Sequence, residues 1–492
     1  MIHLAAIDLK REKISTLLIP VCEDQSIHTD AAVRALAETA LGLEEFQGKQ
    51  DQEVILYNPP GLSVERAVFR GLGKAEKLDA EGLRQMAGKS LKRCAKMGVA
   101  RLWVAVPHGV GLGLDASSVL TALLEGAVLG NHVFDRYKQN KETKSLARID
   151  FLVPAEHTRR FQKLPSQIET VCRGTILARE WVNTPSNEKT PVQFARLITA
   201  AAKKSGLSAR VFTEAELQHR KFGALLAVGA GSLNRPAMVV LEHKPRSGRD
   251  TVVLVGKGVT FDSGGLNIKT GPSLGDMKSD MAGAAAVTAT LLTAAALKLS
   301  RCIVGVIPLV ENMVSGRSTR PGDIVTSFSG KTVEIGNTDA EGRLILADAM
   351  AYAVKTYAPK VLIDVATLTG ACVVALGEKI AGIFASDETL RAEILAAAGR
   401  TQERCWPLPL PEDYKELLKS SFADINNMPS AREGGAISAA LFLSEFVGNT
   451  PWAHIDIAGP AYQKKESAYC GAGGTGFGVR LLMDWLMMGV SK

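Results

Sequence analysis

Asp262, Asp280, Asp339 and Glu341 stand in apolar, glycine-rich sequence with Lys257, Lys269 and Arg343. Lys257 and Asp262 fall in Gly256-Lys-Gly-Val-Thr-Phe-Asp-Ser-Gly-Gly265, directly after the apolar run Thr251–Val255. Asp280 opens an Ala-rich stretch expected to be helical to about Leu297, and Asp339 and Glu341 precede a second helix expected near Arg343. A carboxylate at a helix start is favoured by unpaired N–H groups and by the helix dipole, so capping alone would account for Asp280. Two residues apart in extended chain, Asp339 and Glu341 are expected to point the same way.

Four carboxylates cannot share a partly buried site unaided, because like charges at close range raise one another's pKa and cost stability. Two divalent cations would supply four positive charges. Carboxylate oxygens suit Zn²⁺, Mn²⁺ or Mg²⁺, and a lysine amine can ligate once the metal has displaced its proton. Such a pair could activate a water and polarise either a carbonyl or a phosphoryl oxygen. Lys269 and Arg343 would stay cationic, stabilising a developing oxyanion or holding an anion. The residues alone leave peptidase and phosphoesterase chemistry both open.

These side chains need elements to carry them. From Pro191 onward, the buried-looking strands Met238–Leu241, Val252–Val255, Ile303–Ile307, Val361–Val365 and Ala453–Ile457 alternate with Ala-rich helices and Gly-rich loops. Continuous apolar strands suit a mixed, mostly parallel sheet covered by helices on both faces, with its site in the loops that follow the strands. A smaller N-terminal α/β domain is expected from the strands Thr16–Pro20, Val54–Tyr57, Arg101–Val106 and Ile149–Val153 and the helical stretches Asp30–Leu41, Ala80–Lys96 and Ala116–Val133. The polar stretch Asp135–Arg148 precedes its last strand, and a helical pattern from His157 to Val182 runs into Asn183-Thr-Pro-Ser-Asn-Glu-Lys-Thr-Pro191, where two prolines stop it. The expected organisation is an oligomerisation or regulatory domain over 1–165, a linker helix and loop over 166–190, and a catalytic domain over 191–492.

Composition narrows the chemistry. With 492 residues, 46% of them hydrophobic, the chain can bury a large core, and a net charge of +7 falls short of a dedicated nucleic-acid binder. The basic residues Arg66, Arg70, Lys74, Lys77, Lys89, Lys92 and Arg93 read as a nucleic-acid or protein face, or as a solvated face. Only 8 His and 7 Cys are present, scattered and without a CxxC pair, so the usual zinc ligands are scarce and the thiols read as reduced, cytosolic fillers. No signal or transit segment is legible, and the longest nearly apolar stretch, Val361–Gly377, contains Asp364 and is too short for a membrane span. Gly471-Ala-Gly-Gly-Thr-Gly476 fits a dinucleotide pattern, but no parallel strand follows it. Ser186-Asn-Glu-Lys189, Ser232-Leu-Asn234 and Lys269-Thr-Gly271 match the short signatures of serine penicillin-recognising enzymes, but the first is pinned between Pro185 and Pro191 and the last runs into Pro272.

Three ordered motifs, Gly256–Gly265, Lys278-Ser-Asp-Met-Ala-Gly-Ala-Ala-Ala286 and Asn337-Thr-Asp-Ala-Glu-Gly-Arg-Leu344, resemble the cytosolic leucyl aminopeptidase family of dinuclear metallopeptidases. The resemblance continues through Asn183–Asn187, Ala366-Thr-Leu-Thr-Gly370, His454-Ile-Asp-Ile-Ala-Gly459 and Gly474–Arg480, spanning residues 170–490, whereas the first 160 match only in size and α/β character. It implies one metal on Lys257, Asp262, Asp280 and Glu341, and another on Asp262, Asp339 and Glu341, the ions being Mn²⁺ or Zn²⁺. It implies that the free α-amine of a peptide binds a metal, that a bridging water attacks, and that single N-terminal residues are removed. Lys269 would polarise the scissile carbonyl and Arg343 would hold a bicarbonate as general base. A pocket of Met277, Asn337, Ala340, Thr367, Leu368, Gly370 and Ala458 would favour Leu, with broad specificity, since a methylene is worth only about 1–3 kcal/mol. A cytoplasmic homohexamer acting on peptides, with no membrane partner, is implied as well.

Overall fold

The computed structural model describes residues 2–488 apart from 7, 141–144, 246, 247, 249 and 432, so part of the Asp135–Arg148 stretch lies outside the described residues. The chain divides into two compact units, 1–173 with 465–471, and 174–464 with 472–492. The helix Leu164–Asn183 runs through this boundary. No sequence signal marks 465–471 as part of the first unit, where Lys92 Nζ lies 3.2 Å from Glu466.

In the first unit a six-stranded sheet runs in the order Ile2–Ala5, Arg148–Leu152, Arg101–Ala105, Leu17–Cys22, Arg66–Gly73, Glu53–Tyr57. Only the last pairing is antiparallel. Helices Ala31–Leu41, Ala80–Lys96 and Ala116–Gly130 each begin after an aspartate, Asp30, Asp79 or Asp115, whose carboxylate accepts backbone N–H groups of the first turn. The strand Arg66–Gly73 escapes periodicity because Arg66 and Arg70 interrupt its apolar run. Arg70 faces Glu53 across the antiparallel pair and binds it at 2.6 Å. Arg93 also meets Glu53, Lys89 meets Asp51, and Arg66 stands over the Tyr57 ring. Much of the basic surplus is thus consumed within the unit.

The second unit has a nine-stranded mixed sheet whose central strands, Trp452–Asp456, Val361–Ala366, Thr251–Gly256 and Cys302–Asn312, are parallel. Antiparallel strands Ala237–His243 and Ala381–Ala385 flank them, and Gly258–Asp262 pairs with the end of Cys302–Asn312. Both faces are covered. Val253, Val255, Val304 and Val306 pack with Leu344–Ala353 of the helix Glu341–Tyr357, while the intervening Gly305 faces Leu291 of the helix Ala282–Ala296. Deep in the sheet, Asp364 accepts from Trp452 Nε1 at 2.7 Å and pairs with His454 Nδ1 at 2.6 Å, joining two neighbouring strands.

Chain order reverses direction in this sheet. From Thr251–Gly256 the chain steps to Cys302–Asn312 on one side, then returns to Val361–Ala366 on the other. That switch point leaves a crevice at the carboxyl ends of the strands. Two glycines let the flanking helices close on it: a Cβ on Gly283 would lie 2.0 Å from Val365 O, and one on Gly342 2.5 Å from Lys257 Cε. Among the described residues no helix is long and apolar enough to cross a membrane, and all seven cysteines are free thiols. Gly283→Ala is expected to destabilise the protein by about 1–3 kcal/mol through overpacking, read from denaturant unfolding. Unchanged stability would show that the helix can shift at no cost.

Candidate metal centre

Each candidate ligand leaves or borders an element at the crevice. Lys257 follows the strand Thr251–Gly256, and its ammonium spends all three protons: on Asp280 Oδ1 at 2.7 Å, Thr367 O at 2.7 Å and Glu341 Oε1 at 2.9 Å. Asp262 ends the strand Gly258–Asp262. Its Oδ1 accepts from Gly264 N and Asn312 Nδ2, each at 2.9 Å, and its Oδ2 lies 2.8 Å from Lys269 Nζ. Lys269 also binds Asp339.

Two expectations need correction. Asp280 does not N-cap the Ala-rich helix: that helix begins at Ala282, its N-cap residue is Met281, and the Asp280 carboxylate turns instead to Lys257 and to Thr367 Oγ1, the latter at 2.7 Å. Asp339 and Glu341 do not share extended chain. Glu341 is the first residue of its helix and is buried, whereas Asp339 sits in the preceding turn, a third exposed. Carboxylate oxygens of Asp262, Asp280 and Glu341 all lie within 4.8 Å of one another, and Asp339 stands beside that group through Lys269. None of the eight histidines belongs to it.

Burial and mutual repulsion push Glu341 up to about 8 and Asp280 up to about 6, against the pull of Lys257. Asp339 is raised by burial and by Asp262, with Lys269 opposing. Burial works against the charge on both lysines, but their carboxylate neighbours outweigh it and hold each above the usual lysine range. Four carboxylates face two ammonium groups, so negative charge remains in excess. Asp280 Oδ2 is buried without a hydrogen-bond partner. An orphaned carboxylate oxygen, a negative excess and a donor set of oxygens plus one amine suit hard divalent cations.

Arg343 lies in the same helix, buried, with Nη1 donating to Asn427 O at 2.7 Å and Nε without a hydrogen-bond partner. Burial lowers its pKa to about 10 against the pull of Glu341 and Asp456, which leaves it cationic at neutral pH. The expected pocket residues gather around the same crevice. Asn337 Oδ1 accepts Asp339 N, and Ala340 directly precedes the helix that starts at Glu341. Met277 O accepts Asp280 N. Leu368 N and Ala458 N both donate to Asp456 Oδ1, and Gly370 opens the helix Gly370–Leu376. Sequence reading missed Asn312, Thr338 and Asp456. Thr338 and Asp456 stand inside two of the motifs named above, though neither was given a role there, and Asn312 shows only as the polar end of a long apolar strand.

A family model described as the cytosol aminopeptidase family, catalytic domain, matches residues 176–483, and one for that family's N-terminal domain matches residues 9–141. The second match reaches sequence where no motif resemblance was legible. A probable cytosol aminopeptidase of Geobacter sp. (strain M21) is 42% identical, covering 92% of this chain and 90% of that protein. One from Chlorobium limicola is 38% identical and covers 99% of both. Among solved structures, the bottromycin maturation enzyme BotP in complex with Mn is similar at a TM-score of 0.85 and 35% identity, covering 96% of this chain and 99% of that one.

Protonated carboxylic acids do not ligate, so Mn²⁺ binding is expected to weaken as pH falls from about 8 to about 6. Titration of the chelated protein with Mn²⁺ at several pH values reads this. Carboxylates at their ordinary values would move the weakening down to about pH 4.

Proposed function

The chain belongs to the cytosol aminopeptidase family, and from that premise we propose that it removes single amino acids from peptide N-termini, preferring Leu and accepting others, with two divalent cations bound. The observation that carries this reading is the buried Asp262, Asp280 and Glu341 group, which with Asp339 sets four carboxyl groups against two lysines and leaves Asp280 Oδ2 without a partner. Lys257, Asp262, Asp280, Asp339 and Glu341 would hold the cations. Bound there, divalent cations supply Lewis-acid polarisation of a peptide carbonyl and activation of water.

The chain's own groups do the rest. Lys269, kept protonated by Asp262 and Asp339, donates a hydrogen bond to the oxyanion that develops at the scissile carbonyl. Arg343 would hold an anion, proposed to be bicarbonate, on its unpartnered Nε, and that anion when bound would supply a general base. Met277, Asn337, Ala340, Thr367, Leu368, Gly370 and Ala458 would receive the N-terminal side chain. Family membership favours this chemistry over a phosphoesterase on the same carboxylates. BotP is described in complex with Mn, which makes Mn²⁺ the first cation to test and Zn²⁺ the second. A cytoplasmic homohexamer completes the proposal, and sedimentation at micromolar concentration checks its mass.

Hydrolysis of Leu-p-nitroanilide, with and without N-acetylation, tests the reading. The free amine compound is expected to be cut, chelation to abolish the reaction, and Mn²⁺ to restore it. Equal cleavage of the acetylated compound would sink the exopeptidase assignment, and indifference to chelation would sink the metal assignment.

A further inference from the structure

Residues 336–340 carry Asp339 and deliver Glu341 to the buried carboxylate group, yet they belong to no helix or strand. Metal ligands must be held to within about 0.5 Å, so something outside this loop has to fix its shape. Asn427, fully buried and 88 residues beyond Asp339 in the sequence, meets it at four points. Its Oδ1 accepts Gly336 N at 2.8 Å and Asn337 N at 3.2 Å. Its Nδ2 donates to Asn337 O at 2.8 Å and to Ala340 O at 3.4 Å. Both lone pairs and both protons of the amide are used, and the opposite amide orientation would set donor against donor and acceptor against acceptor. Its backbone carbonyl accepts from Arg343 Nη1 at 2.7 Å. Asn427 is itself fixed by a short parallel ladder, Val333 beside Ile425 and Glu334 beside Asn426, extended by Asn427 N donating to Glu334 O at 3.0 Å.

We infer that Asn427 is a positioning residue for the metal centre: its side chain sets the loop that presents Asp339 and Glu341, and its carbonyl aims the Arg343 guanidinium. The inference rests on the aminopeptidase reading above. Loss of the amide would leave two N–H groups and two carbonyls to find other partners in a partly buried loop, and the ligands on that loop would lose their fixed spacing.

The test compares wild type, Asn427→Ala and Asn427→Asp, each as the full chain, chelated and then titrated with Mn²⁺. Mn²⁺ affinity, kcat and KM on Leu-p-nitroanilide at saturating Mn²⁺, and the melting temperature of the metal-free protein are read for each. Asn427→Ala is expected to bind Mn²⁺ about 10–100-fold more weakly and to lose at least about tenfold in kcat, with KM within about threefold. Asn427→Asp keeps the size and the acceptor for two N–H groups but not the donors, so it is expected to fall between the two. A purely structural role would lower the melting temperature and leave Mn²⁺ affinity and kcat at wild-type values, which would overturn the inference. If Asn427→Ala does not fold, wild-type affinity and kcat in Asn427→Asp overturn it equally. A wild-type protein that binds Mn²⁺ but spares the anilide sinks the substrate reading while the affinity comparison still judges Asn427. One that binds no Mn²⁺ sinks both.

Discussion

Like charge held close together in a buried place is the constraint on which the second unit depends. Asp262, Asp280 and Glu341 converge within 4.8 Å, where every approach of one carboxylate to another costs free energy and burial adds to that cost. Lys257, bridging Asp280 and Glu341, and Lys269, bridging Asp262 and the adjacent Asp339, offset part of it. Neither lysine reaches Asp280 Oδ2. The remaining negative excess is what turns a costly cluster into a cation site, since a divalent ion brings two charges where an ammonium brings one.

Holding such a cluster together requires a rigid frame, and the sheet supplies it. At the switch point between Thr251–Gly256 and Val361–Ala366, Lys257 N donates to Val365 O at 3.1 Å while its side chain reaches Thr367 O. One residue is thus fixed at backbone and at ammonium by the neighbouring strand and the loop that follows it. Asp456, at the end of the next strand, holds that loop through Leu368 N and Thr369 Oγ1. On the other side, Asn312 orients Asp262 and also donates to Thr338 O, tying the strand end to the segment that carries Asp339. Supporting hydrogen bonds of this kind decide which carboxylate oxygen is left free for a ligand.

Much of this was legible in the linear chain. Apolar runs of four or five residues marked the central strands because both faces of the sheet are covered, and helical spacing marked three helices in the first unit. The strands Ile2–Ala5, Arg66–Gly73 and Ser208–Phe212 were not legible. Ile2–Ala5 is only four residues long, Arg70 finds its partner Glu53 on another strand, and Arg210 pairs with Glu216 outside the sheet, so the apolar pattern of each is broken locally.

The sequence by itself determined which acids and bases are present, their order in three motifs, and a scarcity of the histidine and cysteine that zinc sites usually use. Tertiary structure alone decided how those groups are paired. Asp280 serves Lys257 rather than its helix, Asp339 stands beside the tight group rather than in it, and Asn312, Asp456 and Asn427 become partners of residues 50 to 90 positions away. Local periodicity reports which face of an element is buried. It cannot report which buried polar group meets which, because that depends on how separate elements pack and on the requirement that each buried donor and acceptor find a partner.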